Sequence, residues 1–418
     1  MLHLALTVLL AFQNASGSPN VSEGVPTGTS SGAESAAPSN PSNPSSSGGN
    51  PTPVPGKPTP RPTPAPTPKP TGDRLYVVNK SDAALSILDA GTGKSRAVVP
   101  IEKSSHEVEL LADGKTVAVS GYGTTAEPGR YVSLLNAATG KLATKIDIGE
   151  RSRPHGLKAL SNGRLLVTAE GTHELVVVEP QSGRILSRHP TGKDISHMVT
   201  ASPDGRRAYV SSLAAGVVTV IDLVTGKVVQ NVETGKGAEG IDVTPDGREI
   251  WVANRGANTI SVIEAKTLKV VFTIKASEFP IRVKLTPDGQ RAVVSFTGSG
   301  DVGVYDVATR TEKLRIPIGR DAVSGTETRV FARRFGKSPA PVGLLISPDG
   351  KRAWVAATHA DVIAVIDLEK GRVEDAWPTG KEPDGLAGRF GVPAPPEETR
   401  QAPAPPPRRV VTYKAPPG

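Results

Sequence analysis

Short runs of β-branched and aliphatic residues recur through the middle of the chain, separated by polar clusters that contain Gly. Between residues 202 and 247 four such runs (208–212, 217–222, 227–232 and 240–243) fill one stretch, and alternation in runs this short predicts β-strands. The clusters between them, Pro203-Asp204-Gly205 and Thr225-Gly226-Lys227, are hairpin turns. Gly supplies the positive φ, and Asp or Pro presets the residues before it.

The stretch ends where it began. Asp204 recurs 42 residues later as Asp246 and 42 later again as Asp288, and Asn162 lies 42 before it in a degenerate Ser-Asn-Gly. A fixed period of this length marks an array of supersecondary units, and four antiparallel strands per period match the blade of a β-propeller. Parallel β-helix rungs are shorter and lack hairpin turns. A second landmark counts the blades: 87–89, 134–136, 177–179, 220–222, 262–264, 304–306 and 365–367 each read Val-Ile-Asp or a close variant. The first repeat, from Arg74, has no strand before it, whereas Pro383-Asp384-Gly385-Leu386 reads as an inner strand with no blade after it. The expected fold is therefore all-β: a seven-bladed β-propeller of four-stranded antiparallel blades, closed by the C-terminal strand completing the first blade. Such closure removes the exposed edges.

Flanking segments change the picture of where the protein works. Residues 1–18 carry an apolar run from Leu4 to Phe12 followed by small residues, which reads as a secretory signal peptide, too short to span a bilayer. Residues 19–72 form a Ser/Gly/Pro-rich linker, 73–389 the propeller, and 390–418 a Pro-rich tail. The expected location is exported, periplasmic or at the cell surface. The Pro-rich ends act as spacers or, alternatively, as contacts with wall or surface. The chain has no Cys, which excludes disulfides and thiolate metal sites. The net charge of +8 is shared between the ends and the propeller, so it carries no strong nucleic-acid signal.

The repeats Tyr76-Val77-Val78-Asn79 and Trp251-Val252-Ala253-Asn254, the Asp-Gly turns at 113, 204, 246, 288 and 349, and the Thr-Gly-Lys turns resemble the YVTN-repeat β-propeller family, and within it the YncE-like exported bacterial proteins. No Trp-Asp dipeptide occurs, which sets the chain apart from WD-type propellers. The resemblance implies the fold. It spans surface proteins, partner-binding modules and, in related propellers, redox enzymes, so it does not fix an activity.

Aligning the inner-strand starts gives one residue per blade: His106, His155, His197, Glu239, Ile281, Val342 and Asp384. Three of the seven His thus fall at one position of consecutive blades. Imidazoles with a carboxylate suit Zn, Cu, Fe or Ni, which makes His106, His155, His197 and Glu239 the candidate ligands of a divalent transition metal. A hydrogen-bonding or substrate-contacting cluster is one alternative. Packing between blades is another, because the three His share strand parity with Val108, Leu157 and Val199. The opposite parity carries Glu107, Glu109, Lys158, Asp242, Arg282 and Lys284, which predicts a charged, hydrated channel.

Strand ends on the same rim add Glu170, Arg255 and Tyr122, which with Asp384 and Arg282 are the candidate ligand-binding residues. Two insertions, 121–131 and 319–339, fall on this rim. The second sets Phe331 and Phe335 four apart among Arg329, Arg333, Arg334 and Lys337, a pattern fit for a lid, a partner site or a solvated loop. No catalytic residue is assigned. Gly91-Thr92-Gly93-Lys94-Ser95 has Leu88 where a phosphate loop needs its first Gly, and no Gly-x-Ser-x-Gly elbow occurs. The expected function is binding of a small ligand or protein partner at the His-bearing rim. The alternative is a metal-dependent enzyme, redox, hydrolytic or lyase, with a His3/Glu site at the channel mouth.

Overall fold

The computed structural model describes residues 72–323, 329 and 331–391. The leader expected at 1–18 lies outside them, as do the expected linker and tail except for Gly72, Phe390 and Gly391. Among the described residues, strands build seven separate four-stranded antiparallel sheets. The first blade runs Pro383–Arg389, Arg74–Asn79, Ala84–Asp89, Ser95–Pro100, so the chain's last strand pairs with its first, Leu75 opposite Gly388 and Tyr76 opposite Ala387. The other six blades take their strands in chain order, opening with Val108–Leu110, Pro154–Ala159, Ser196–Ala201, Ala238–Val243, Pro280–Leu285 and Pro341–Ile346. These opening strands touch their neighbours in turn, and Pro383–Arg389 touches both Pro341–Ile346 and Val108–Leu110, which closes a ring of seven inner strands.

The hydrophobic pattern explains the layering. Second and third strands are buried on both faces, as in Ala84–Asp89, while fourth strands such as Ser95–Pro100 and Val228–Glu233 face outward and are largely exposed. Each core sits between adjacent blades. Val293, Val302 and Val304 of the sixth meet Leu344, Val355 and Ile366 of the seventh, and Leu75 and Leu88 of the first meet Trp354 and Ile363 of the seventh across the closure. The Asp-Gly turns behave as read: Asp204 Oδ1 accepts from Arg206 N at 3.0 Å, and Gly205 takes φ 67°.

One feature of the inner strands lay outside the alternating pattern. Pairing slips between Pro154 and Leu157, between Ser196 and Val199, and between Ala238 and Ile241, with equivalents in other blades. The extra residue bends the strand start and breaks its parity. Side chains that alternation would bury between blades, His155 and His197 among them, are thereby turned toward one another around the mouth. The bends bring neighbouring strands so close that the following position is often Gly: a Cβ on Gly343 would stand 1.8 Å from the Asp384 carbonyl oxygen, and one on Gly385 2.4 Å from that of His106.

Candidate functional site

Hydroxyls on the second strands fix the bent strand starts. Thr168 Oγ1 accepts from Gly156 N at 2.7 Å and donates to the His197 carbonyl at 2.7 Å, tying the third blade to the fourth. Ser211 repeats the link to the Glu239 carbonyl in the fifth, and Ser295 donates to that of Val342 at 2.9 Å. The backbone that presents each mouth residue is thus held by its neighbour.

On this frame all nine candidate site residues meet in one network. Tyr122 donates to Glu170 Oε2 at 2.7 Å; Glu170 Oε1 accepts from His197 Nδ1; His197 Nε2 donates to Glu239 Oε1 at 2.7 Å. Glu239 also meets Arg282 Nη1 at 3.1 Å and Arg255 Nη1 at 2.6 Å. On the other side His106 Nδ1 faces Asp384 Oδ2 at 3.0 Å, and Asp384 meets Lys80 Nζ at 3.4 Å. The halves are joined by the His155 ring, whose centroid lies 4.7 Å from that of His106 and 4.0 Å from that of His197, with Tyr122 edge-on to His106 and His155. Arg282 of the sixth blade crosses to Glu107 of the second. The two intervening blades carry Gly343 and Gly385 at the matching position.

The electrostatics follow from burial and pairing. Burial alone would lower the His197 pKa, but Glu239 and Glu170, one on each ring nitrogen, reverse this and raise it to about 9, so His197 is an imidazolium at neutral pH. Burial disfavours the charged form of Glu239 as well, yet Arg255, His197 and Arg282 hold its pKa well below the usual range. Asp384 is likewise held low by Lys80 and His106 against burial. His155 goes the other way: burial, then the nearby His197, His106, Arg282 and Lys80, push its pKa well below 6.5 and keep the ring neutral. Its Nδ1 is buried without a hydrogen-bond partner.

Sequence reasoning grouped His106, His155, His197 and Glu239 as ligands. Among the described residues, the donor atoms within 4.8 Å of one another belong to His155, Glu170 and His197. His106 is engaged by Asp384, and Glu239 by its two Arg and His197. The partnerships of Glu107 with Arg282 and of Lys80 with Asp384 and Glu382 were missed, since they link residues in blades far apart along the chain. Of the charged residues expected to line a channel, Lys158 lies 3.9 Å from Glu109, and Asp242 accepts from Leu285 N at 3.0 Å. The second insertion carries a short helix, Ala332–Phe335, whose Phe335, with Phe331, packs on Phe279, Ile281 and Val342.

The chain is 30% identical over 177 residues to the uncharacterized protein YncE of Escherichia coli K12, a match covering 39% of this chain and 48% of that protein. It is 30% identical over 174 residues to YncE of Salmonella typhi, covering 38% and 47%. It is a YncE-like β-propeller. The match spans about half the length of these bacterial relatives.

A family described as "Cytochrome D1 heme domain" matches residues 161–283 of the YncE-like propeller. Two solved structures share its fold. One is Kuenenia stuttgartiensis hydrazine synthase, with TM-score 0.56 and 19% identity, covering 67% of this chain and 88% of that one. The other is a functionally unknown protein from Desulfotomaculum acetoxidans DSM 771, with TM-score 0.62 and 14% identity, covering 77% and 99%. Of the three His in the matched stretch, His173 is exposed, with Nε2 3.9 Å from Asp194, and the other two are engaged by the protein itself. Its His at the mouth, His197, spends both ring nitrogens on carboxylates and has no lone pair for iron, and His189 is engaged by Ser187 and the Gly226 carbonyl. No described helix is long and apolar enough to cross a membrane.

Proposed function

We propose that this YncE-like propeller is an exported binding protein that captures a small ligand at the His-bearing mouth. The observation that carries the reading is the buried Nδ1 of a neutral His155, left without a hydrogen-bond partner at the mouth, as is Asp384 Oδ1. An unpaired buried polar atom costs stability, and a ligand head that bonds it recovers that loss. His106, Tyr122 and His197 surround the atom, Arg255 and Arg282 supply positive charge, and Asp384 and Glu170 orient the flanking imidazole and phenol groups. Titrating the full-length protein with acetate, phosphate and acetamide, while following the ¹⁵N resonances of its His side chains, tests this. One of these heads is expected to move the His155 resonances, and His155→Gln to abolish the response. Unmoved His155 resonances with all three would overturn the reading.

A second reading, a metal-dependent enzyme, is favoured by the proximity of the donor atoms of His155, Glu170 and His197. It asks His197 to give up its proton and a carboxylate bond, because a metal needs a neutral ring. That cost places it second. Calorimetric titration with Zn, Cu and Ni in two buffers of different ionisation enthalpy separates the readings: stoichiometric binding with release of a proton would put the metal reading first.

A further inference from the structure

The strands Pro341–Ile346 and Pro383–Arg389 run from the His-bearing mouth to the opposite rim, and there the chain enters and leaves the ring at one place. Asp73, just before the first strand, and Phe390 and Gly391, just after the last, line a cavity of about 330 Å³ between the turns that carry Gly91 and Asp349. Its wall is aromatic. The Phe390 ring lies over Trp354, with 5.4 Å between ring centres and 21° between planes, and a Cβ on Gly388 would stand 2.2 Å from Phe390 Cε2, so Gly at 388 is what lets the ring fold back.

Trp354 is 2% exposed, and its indole Nε1 is buried with no hydrogen-bond partner among the described residues. The other two Trp differ: Trp251 Nε1 donates to Glu249 at 3.0 Å and Trp377 Nε1 to Asp375 at 2.8 Å. A buried donor without an acceptor is costly, so the cavity favours an occupant that brings a carbonyl to Trp354. The chain itself supplies one. Beyond Gly391 and Val392, residues 393–396 read Pro-Ala-Pro-Pro, a Pro-x-x-Pro segment. Polyproline carbonyls make no internal hydrogen bonds and Pro brings no N–H, so such a segment offers acceptors where a donor is unmet and flat rings where the wall is aromatic. Gly391 takes φ 75°, which turns the chain, and a Cβ there would meet nothing within 4 Å. Four residues at about 3.1 Å each then cover about 12 Å, enough to cross a cavity of this volume.

We propose that this cavity is a polyproline-binding site and that residues 393–396 of the same chain occupy it, latching the first blade to the seventh beyond the closing strand. The test follows the three indole N–H signals of the full-length protein by ¹⁵N NMR, that of Trp354 being known by its contact with the Phe390 ring. Pro393→Gly, Pro395→Gly and Pro396→Gly made together should move the Trp354 signal and speed exchange of its hydrogen with deuterium roughly fivefold, as the loss of one hydrogen bond requires, while the Trp251 and Trp377 signals stay in place. A peptide of residues 392–397 added to that variant should restore the original position. An unmoved Trp354 signal in the variant, or a moved one that the peptide does not restore, overturns the proposal. A Trp354 signal indifferent to the three substitutions but moved by the peptide overturns the occupant and gives the site to a Pro-rich partner. A wild-type signal that shifts with protein concentration overturns it too, in favour of the tail of a second copy.

Discussion

His197 sets the pH behaviour of the mouth. Its folded pKa, about 9, lies above the unfolded value near 6.5, so the stability it confers is complete below pH 6.5 and is lost as pH rises through 9. A shift of that size corresponds to about 3 kcal/mol. His155, with its pKa depressed, works in the opposite sense, and its contribution is lost as pH falls below 6.5. Together they place the best stability of the mouth near pH 6.5. Urea unfolding at pH 6.5 and 9.5 should show the alkaline loss, and His197→Gln should remove most of that difference. A neighbouring residue gives a second expectation. Thr168→Val deletes the hydroxyl that binds both Gly156 N and the His197 carbonyl, and should cost about 1–3 kcal/mol in the same assay, with a moved His197 ¹⁵N signal. The His cluster was legible in the sequence because a repeat in register puts like positions side by side. The pairing of Glu170 with His197 was not, since it joins a strand end of one blade to the strand start of the next, a distance that only the packed ring defines.

At the level of the strand, the bend at each inner-strand start decides which side chains reach the mouth. Blade count, turn chemistry and strand order could all be read from period and residue type. The bend could not, because an extra residue between paired positions alters neither composition nor spacing within its own strand. The consequence was a parity argument that left His155 and His197 open to packing between blades. Gly was the available clue: Gly156, Gly240, Gly343 and Gly385 share one position, where the neighbouring backbone leaves no room for a Cβ. Gly343→Ala should therefore push Pro383–Arg389 off its neighbour and lower the melting temperature sharply. Gly205→Ala meets no atom within 4 Å and strains only the backbone, so its loss should stay near 1–2 kcal/mol. Equal losses by calorimetry would show that close approach at Gly343 is not what matters.

For the whole ring, closure rests on one strand. A chain stopped before Pro383 leaves Arg74–Asn79 as an open inner edge and uncovers Leu75, Tyr76 and Val77, whereas one stopped after Gly391 keeps every blade complete. Thermal unfolding should separate the two widely; similar melting temperatures would mean that the ring closes by other contacts. The flanking Pro-rich tracts were legible as composition, and the export read from residues 1–18 is tested by whether the protein recovered from its native cell lacks them. The ion pair of Arg282 and Glu107 ties the sixth blade directly to the second, past the seventh and the first. It acts as a brace: a ring held only by contacts between neighbours can loosen blade by blade, whereas a cross-tie makes distant blades give way together. Arg282→Ala would leave Glu107 and Glu239 buried with a lost partner and should broaden the unfolding transition as well as lower it.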